Sequence, residues 1–166
     1  MFRRDFKVLA TASLLTAMTA FTIGTGAATA GECESVRGQI TSQLLTGTDC
    51  TSPVGLCTIG RFRGDIRGEF VFTAENLTTE ANPDFGDTGI AFYTGTLLLQ
   101  TEDGSLTIKD AGAFNITPNS NGDFGSVQTI MTATEELVGT TGRIRTEGVF
   151  IGGCVDCRYR GEICTP

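Results

Sequence analysis

Ile59-Gly-Arg-Phe-Arg-Gly-Asp-Ile-Arg-Gly-Glu-Phe-Val-Phe72 is the stretch that decides the fold. Phe62, Ile66, Phe70 and Phe72 share one parity, with Gly60, Gly64 and Gly68 between them. Arg61, Arg63, Asp65, Arg67 and Glu69 occupy the other parity. A period of two with one apolar face is the signature of a half-buried β-strand. Glycines at every fourth position weaken a flat strand, but they permit the bends and close approaches of a coiled or closed sheet.

The same pattern extends in both directions. Gly38–Leu45 precedes it, and Ile90–Gln100 follows as a long Thr, Leu and aromatic run. Asp103-Gly104 is a two-residue hairpin signal leading into Ser105–Lys109. Ala111–Ile116 is a short run stopped by Pro118, and Ser126–Ala133 resumes the β-branched character. Gly142–Phe150 alternates again, with Ile144 and Phe150 against Arg143, Arg145 and Glu147, and Arg158–Ile163 closes the chain. Helix signals amount to one turn near Ala133–Val138, and Asn82–Asp87 reads as a long connection. Eight short strands with glycine-rich turns predict one all-β domain, either a sandwich or a barrel. A single eight-stranded antiparallel up-and-down β-barrel is favoured, because closure removes exposed edges and the glycines suit its curvature.

The 166 residues carry 12 Lys and Arg against 19 Asp and Glu, and contain no His and no Trp. Without histidine there is no Ser-His-Asp triad, Cys-His dyad, His-ligated metal or histidine base. The net charge of −7 argues against nucleic acid as a partner. Residues 1–30 read as a cleaved export signal. Arg3, Arg4 and Lys7 form a positive start, Val8–Ile23 is mildly apolar, and Ala28-Thr29-Ala30 is a small-x-small cleavage pattern ahead of Gly31. Thr11, Thr16, Thr19 and Thr22 interrupt a stretch already shorter than the roughly 20 apolar residues of a membrane span. Arg3-Arg4-Asp5-Phe6-Lys7 resembles the twin-arginine export motif, with the general secretory route as the alternative. Residues 31–166 would then form a secreted or periplasmic domain with no membrane association. Losing three of the 12 cations and one of the 19 anions leaves 9 and 18, a net charge of −9.

All six cysteines follow the signal, and an even count in an oxidising compartment reads as three disulfides. Six cysteines allow 15 connectivities. The preferred set joins Cys50 to Cys57 around a Thr-Ser-Pro turn, Cys33 to Cys164 across the termini, and Cys154 to Cys157 in a tight loop. The main rival pairs Cys154 or Cys157 with the N-terminal segment. A redox Cys-x-x-Cys would open a helix in a βαβ unit, which the pattern lacks, and a zinc site would want two close Cys-x-x-Cys units. No metal or cofactor is expected.

Three segments together resemble the allene oxide cyclase-like and dirigent-like barrel group of exported bacterial proteins. They are Gly60-Arg-Phe-Arg-Gly-Asp-Ile-Arg-Gly-Glu-Phe70, Gly139-Thr-Thr-Gly-Arg-Ile-Arg-Thr-Glu-Gly148 and Tyr159-Arg-Gly-Glu-Ile163. The resemblance spans Ile59 to Ile163 and implies an eight-stranded calyx whose interior holds a small hydrophobic ligand. Plant relatives cyclise a fatty-acid epoxide or guide radical coupling, and others act without known chemistry. Dimers and trimers occur in families of this shape, so a homo-oligomer is open. The resemblance transfers no catalytic residue to this chain.

Tyr93, Phe62, Phe70 and Phe92 are the candidate lining of a ligand pocket, with Tyr93 its polar handle. Arg61, Arg63, Arg67, Arg143, Arg145, Arg158 and Arg160 form a ladder with Asp65, Glu69, Glu147 and Glu162, read as an outward salt-bridge lattice rather than an anion site. An inward Glu69–Glu147 acid/base pair would bury every charge of that parity, which is too costly. Asn119-Ser-Asn-Gly-Asp123 lacks the spacing of a calcium loop and reads as a turn. The expected function is a non-enzymatic exported barrel that binds a small hydrophobic molecule or serves as a surface or matrix module. The alternative is a cyclase or isomerase acting by positioning.

Overall fold

A computed structural model of the chain describes residues 31–82, 86–115 and 122–166. Residues 1–30, read above as an export signal, and most of the Asn119–Asp123 loop lie outside the described residues. Eight strands run in chain order: β1 (Glu32–Leu44), β2 (Cys57–Gly64), β3 (Gly68–Asn82), β4 (Gly86–Gln100), β5 (Ser105–Asn115), β6 (Asp123–Ala133), β7 (Thr141–Phe150) and β8 (Cys154–Thr165). Each pairs antiparallel with the next, and β8 returns to β1, so the sheet closes into an up-and-down barrel. The only helical turns among the described residues are single 3-10 turns at Gly47–Asp49 and Glu135–Leu137.

Two strand boundaries differ from the sequence pattern, in opposite directions. Ile59–Phe72 is two strands, because residues 65–67 make the β2–β3 turn. That turn is pinned from outside itself. The Arg37 N–H donates to Asp65 Oδ2 at 2.9 Å, and Tyr159 Oη accepts from the Ile66 N–H at 2.8 Å. Phe62, Ile66 and Phe70 all face inward across the turn, so the parity runs through it and conceals it. Conversely, Ser105–Lys109 and Ala111–Ile116 belong to one strand, β5, with Asp110 in its middle. Asn82–Asp87 is also not a long connection, since Ala81 pairs with Asp87 and Asn82 with Gly86 at the tip of one continuous ladder.

Closure sorts the side chains. Phe62, Phe72, Leu97, Leu99, Ile108 and Ile144 are buried inside, while every arginine between Arg37 and Arg160 is exposed. The glycines have a specific place in this sorting. Gly60 lies directly opposite Phe70, Gly68 opposite Phe62, Gly112 opposite Tyr93, Gly148 opposite Phe124 and Gly38 opposite Tyr159. The rings of Phe70, Tyr93 and Tyr159 lean over the bare backbone of Gly60, Gly112 and Gly38 on the neighbouring strand, which is how wide aromatics fit a narrow lumen. A Cβ at Gly112 would sit 2.7 Å from Tyr93 Oη, and one at Gly38 would sit 2.5 Å from Tyr159 Oη.

Disulfides join Cys33 to Cys164, Cys50 to Cys57 and Cys154 to Cys157. They belong to an oxidising, extracellular type of environment. No helix among the described residues is long and apolar enough to cross a membrane. Cys33–Cys164 ties β1 to β8, the two strands whose pairing closes the barrel, across 131 residues of sequence.

Two outcomes test this packing. Gly112→Ala should destabilise the protein by about 1–3 kcal/mol through overpacking, whereas Gly125→Ala, whose Cβ would meet nothing nearer than 3.9 Å, should stay within about 0.5 kcal/mol of the parent in urea unfolding. Replacing Cys33 and Cys164 together by Ser should cost about 2–5 kcal/mol in the same measurement, because the unfolded chain regains the freedom of its longest loop.

Candidate functional site

The two ends of the lumen are filled differently. Toward the end that carries the β2–β3 turn, Phe62, Ile66, Leu99, Leu106, Ile144 and Tyr159 form a packed plug. Phe62 meets Phe70 edge-on at 5.5 Å between ring centroids and Tyr159 at 5.2 Å. Toward the other end, Phe114, Phe124 and Phe150 are only half-buried, and Phe150 lies 5.1 and 6.0 Å from the other two. A cavity of about 50 Å³ remains among these rings, Tyr93 and a polar group formed by Asp110, Gln128 and Thr146. That volume holds about three or four water-sized occupants.

Alternation along β5 puts Asp110 in this lumen. Leu106, Ile108 and Asp110 share the inward parity, and Asp110 is 6% exposed. On β6, Ser126, Gln128 and Ile130 do the same, and Gln128 sits directly opposite Asp110. Gln128 Nε2 donates to Asp110 Oδ2 at 3.2 Å, and Tyr93 Oη donates to Asp110 Oδ1 at 3.4 Å. The nearby Ser126 hydroxyl favours the charged forms of Asp110 and Tyr93, and its oxygen is buried without a formed hydrogen bond among the described residues. Gln128 Oε1 and Thr146 Oγ1 are buried without a hydrogen-bond partner among the described residues. Buried polar atoms are normally paired, so two unpaired atoms beside a cavity leave room for an occupant that can bond to them.

Burial pushes the Asp110 carboxyl up to about 6, against the opposing effect of the Gln128 hydrogen bond, the nearby Ser126 hydroxyl and the Tyr93 hydrogen bond. Burial and the nearby Asp110 charge both push the Tyr93 hydroxyl upward, so Tyr93 remains a neutral donor at any ordinary pH. The site therefore contains one titrating group near neutrality, one permanent donor and two free acceptors in an otherwise aromatic chamber.

The residues singled out in the sequence are distributed unevenly around it. Tyr93 and Phe70 line the cavity. Phe62 belongs to the packed plug and is not part of the lining. Phe92 is 42% exposed and faces outward, since neighbours on a strand point to opposite faces and Tyr93 holds the inward place. Glu69 and Glu147 also face outward, each near an arginine: Arg61–Glu69 at 2.6 Å and Arg160–Glu147 at 3.9 Å. Asp110, Gln128 and Thr146 were not among the candidates, although the parity of Leu106 and Ile108 marks Asp110 as inward. Among the described residues, the one grouping of metal-type ligands is Cys33, Glu162 and Cys164, and its two sulfurs are joined to each other. It offers no thiolate to a metal. Comparison with family models, with curated proteins and with solved structures finds no match to this chain.

The carboxyl gives a signed pH dependence. Its folded-state value of about 6 lies above its ordinary 3.8, so the folded state holds the proton more tightly. The contribution is fully present below about pH 4 and is lost as pH rises through 6, a difference of up to about 3 kcal/mol. Asp110→Asn should therefore gain stability relative to the parent as pH rises from about 4 to about 7 and keep that gain above it, read as a Tm difference that grows and then levels off. A pH-independent difference would place Asp110 in water.

Proposed function

We propose that the protein is an exported, disulfide-stapled barrel that holds one small, mainly apolar molecule in its lumen through a single polar group. The observation that carries this reading is the Asp110–Gln128–Tyr93 cluster, with its unpaired Gln128 Oε1 and Thr146 Oγ1, facing a cavity walled by aromatic rings. A purely structural plug would gain by replacing these groups with aliphatic ones, because a half-satisfied buried network costs more than an apolar core. A donor group on the ligand would meet Gln128 Oε1 or Thr146 Oγ1, and an acceptor would compete for the Tyr93 hydroxyl. The half-buried Phe114, Phe124 and Phe150 rings set the size limit. Displacing them enlarges the chamber without touching the plug at the other end. The export pattern of residues 1–30, the resemblance to ligand-holding barrels and the disulfides support the same reading.

A second reading is favoured by one observation. A buried carboxyl that titrates near 6 beside a cavity is poised for general acid–base work. In an isomerase or cyclase, Asp110 would move a proton while the aromatic wall holds the substrate in a reactive shape and Tyr93 donates to a developing oxyanion.

Native mass spectrometry of protein purified from its own host separates these readings from an empty module. The expected result is a retained small molecule that Asp110→Asn loses or binds at least about tenfold more weakly. Turnover of the released molecule on re-addition, with a pH profile that breaks near 6, would select the enzyme. A mass equal to the bare chain, with an unchanged Tm in the presence of small phenols, would leave the barrel without a ligand role.

A further inference from the structure

The outer surface holds a second arrangement that the lumen does not explain. Register places Arg37 of β1 directly opposite Arg160 of β8, and Arg160 directly opposite Arg145 of β7. Three arginines thus stand side by side across three adjacent strands, at the strand interval of about 4.8 Å. Arg63 and Arg158 flank this row on one side, with Gln39 between them, and Arg143 flanks it on the other, opposite Glu162. Six of the nine cations in residues 31–166 therefore lie on one face of a chain whose net charge is −7.

The carboxylates of this face do not neutralise it. Asp65, Glu147 and Glu162 are its acidic members. Asp65 accepts from the Arg37 backbone N–H and holds the β2–β3 turn. Glu147 reaches only Arg160, at 3.9 Å, and no ion pair joins Arg37, Arg143 or Arg145 to a carboxylate among the described residues. Like charges placed directly opposite on neighbouring strands are destabilising. The like-charge contacts along this row, offset only in part by Asp65 beside Arg37 and Glu147 beside Arg160, are a cost in the free protein that an external anion would reduce.

We propose that the Arg37–Arg160–Arg145 row is a docking ridge for a linear, carboxylate-bearing polysaccharide lying across the strands. The rows on either side are mixed, with Glu147 opposite Arg158 and Glu162 opposite Arg143, so a thin chain lying along the central row avoids carboxylates that a broad anionic membrane would meet. Guanidinium groups match carboxylates in a bidentate fork, and a polyuronate carries one carboxylate on every sugar along its length. The outward neighbours Ser35, Gln39, Thr129 and Val127 present no aromatic ring on which nucleic-acid bases could stack.

The test is binding of polygalacturonate to the intact protein, with its fully methyl-esterified form, a single-stranded oligonucleotide and anionic phosphatidylglycerol vesicles as comparisons. Polygalacturonate should bind, raise the Tm and be released by salt. The triple variant Arg37→Gln, Arg145→Gln, Arg160→Gln should weaken binding by about tenfold or more, since contacts along one chain reinforce each other. It should keep or raise the Tm of the free protein, because it removes like-charge contacts. A control triple with the same charge change on other faces, Arg61→Gln, Arg67→Gln, Lys109→Gln, should bind like the parent. Equal loss in both triples, equal binding of the esterified polymer, stronger binding of the oligonucleotide or vesicles, or no binding of polygalacturonate would each overturn the proposal.

Discussion

Everything in this molecule depends on β1 meeting β8. That pairing runs from Glu32 opposite Thr165 to Ile40 opposite Cys157, and the Cys33–Cys164 disulfide bonds its outer end. Once the sheet is closed, no strand has a free edge, and each side chain must go either to a narrow lumen or to water. An eight-stranded lumen is just wide enough for its own side chains. Every inward residue therefore constrains the one across from it. Glycines opposite Phe70, Tyr93 and Tyr159 are the result: without them the rings of one wall would collide with the Cβ atoms of the next.

Tyr159 shows how closure and local turns support each other. Its ring lies over Gly38 and packs against Phe62, and its hydroxyl reaches across the lumen end to both the N–H and the C=O of Ile66. One side chain on the last strand thus holds the turn between the second and third. The turn in turn places Asp65 to bond the backbone of β1, so three distant segments share one set of hydrogen bonds. The same end is plugged with aliphatic and aromatic side chains, which leaves the opposite end as the place where the filling can fail. Asp110 occupies that place. A carboxyl in a lumen is tolerated there because two donors face it and the adjoining cavity relieves its crowding.

Much of the barrel was legible from the alternation alone, and its errors have physical causes. The Ile59–Phe72 run concealed a turn, because Phe62, Ile66 and Phe70 all point inward on either side of it. The β5 strand looked interrupted, because an aspartate between Lys109 and Ala111 reads as a strand breaker when taken by residue type. Parity gives the opposite answer: two residues beyond Ile108 is inward, whatever occupies the position. The two errors offset each other in the strand count but not in the site. Splitting β5 hid Asp110, and with it the one buried carboxyl among the described residues. Phe92 was misplaced for a related reason, since hydrophobicity suggested the interior while its neighbour Tyr93 already held the inward position. Thr146 and Gln128 carry no sequence signal beyond parity, because nothing in their residue type separates a lumen position from an exposed one.

The arginine row shows what residue type and register each contribute. Counting along the sequence, every arginine has an acidic residue nearby: Arg143 and Arg145 stand beside Glu147, and Arg160 beside Glu162. That count predicts a neutral lattice. Register rearranges it, because residues near one another in sequence on a strand lie about two rows apart, while residues directly opposite come from different strands. Arg37, Arg160 and Arg145 fall in one row, and Glu147 and Glu162 fall in the rows beside it. A closed barrel cannot slip by a residue to relieve this, since a one-residue shift would turn the whole apolar set outward. The burial of Ile144, Tyr159 and Ile40 therefore fixes the arginines in line, and their mutual repulsion is held in place by the core beneath them.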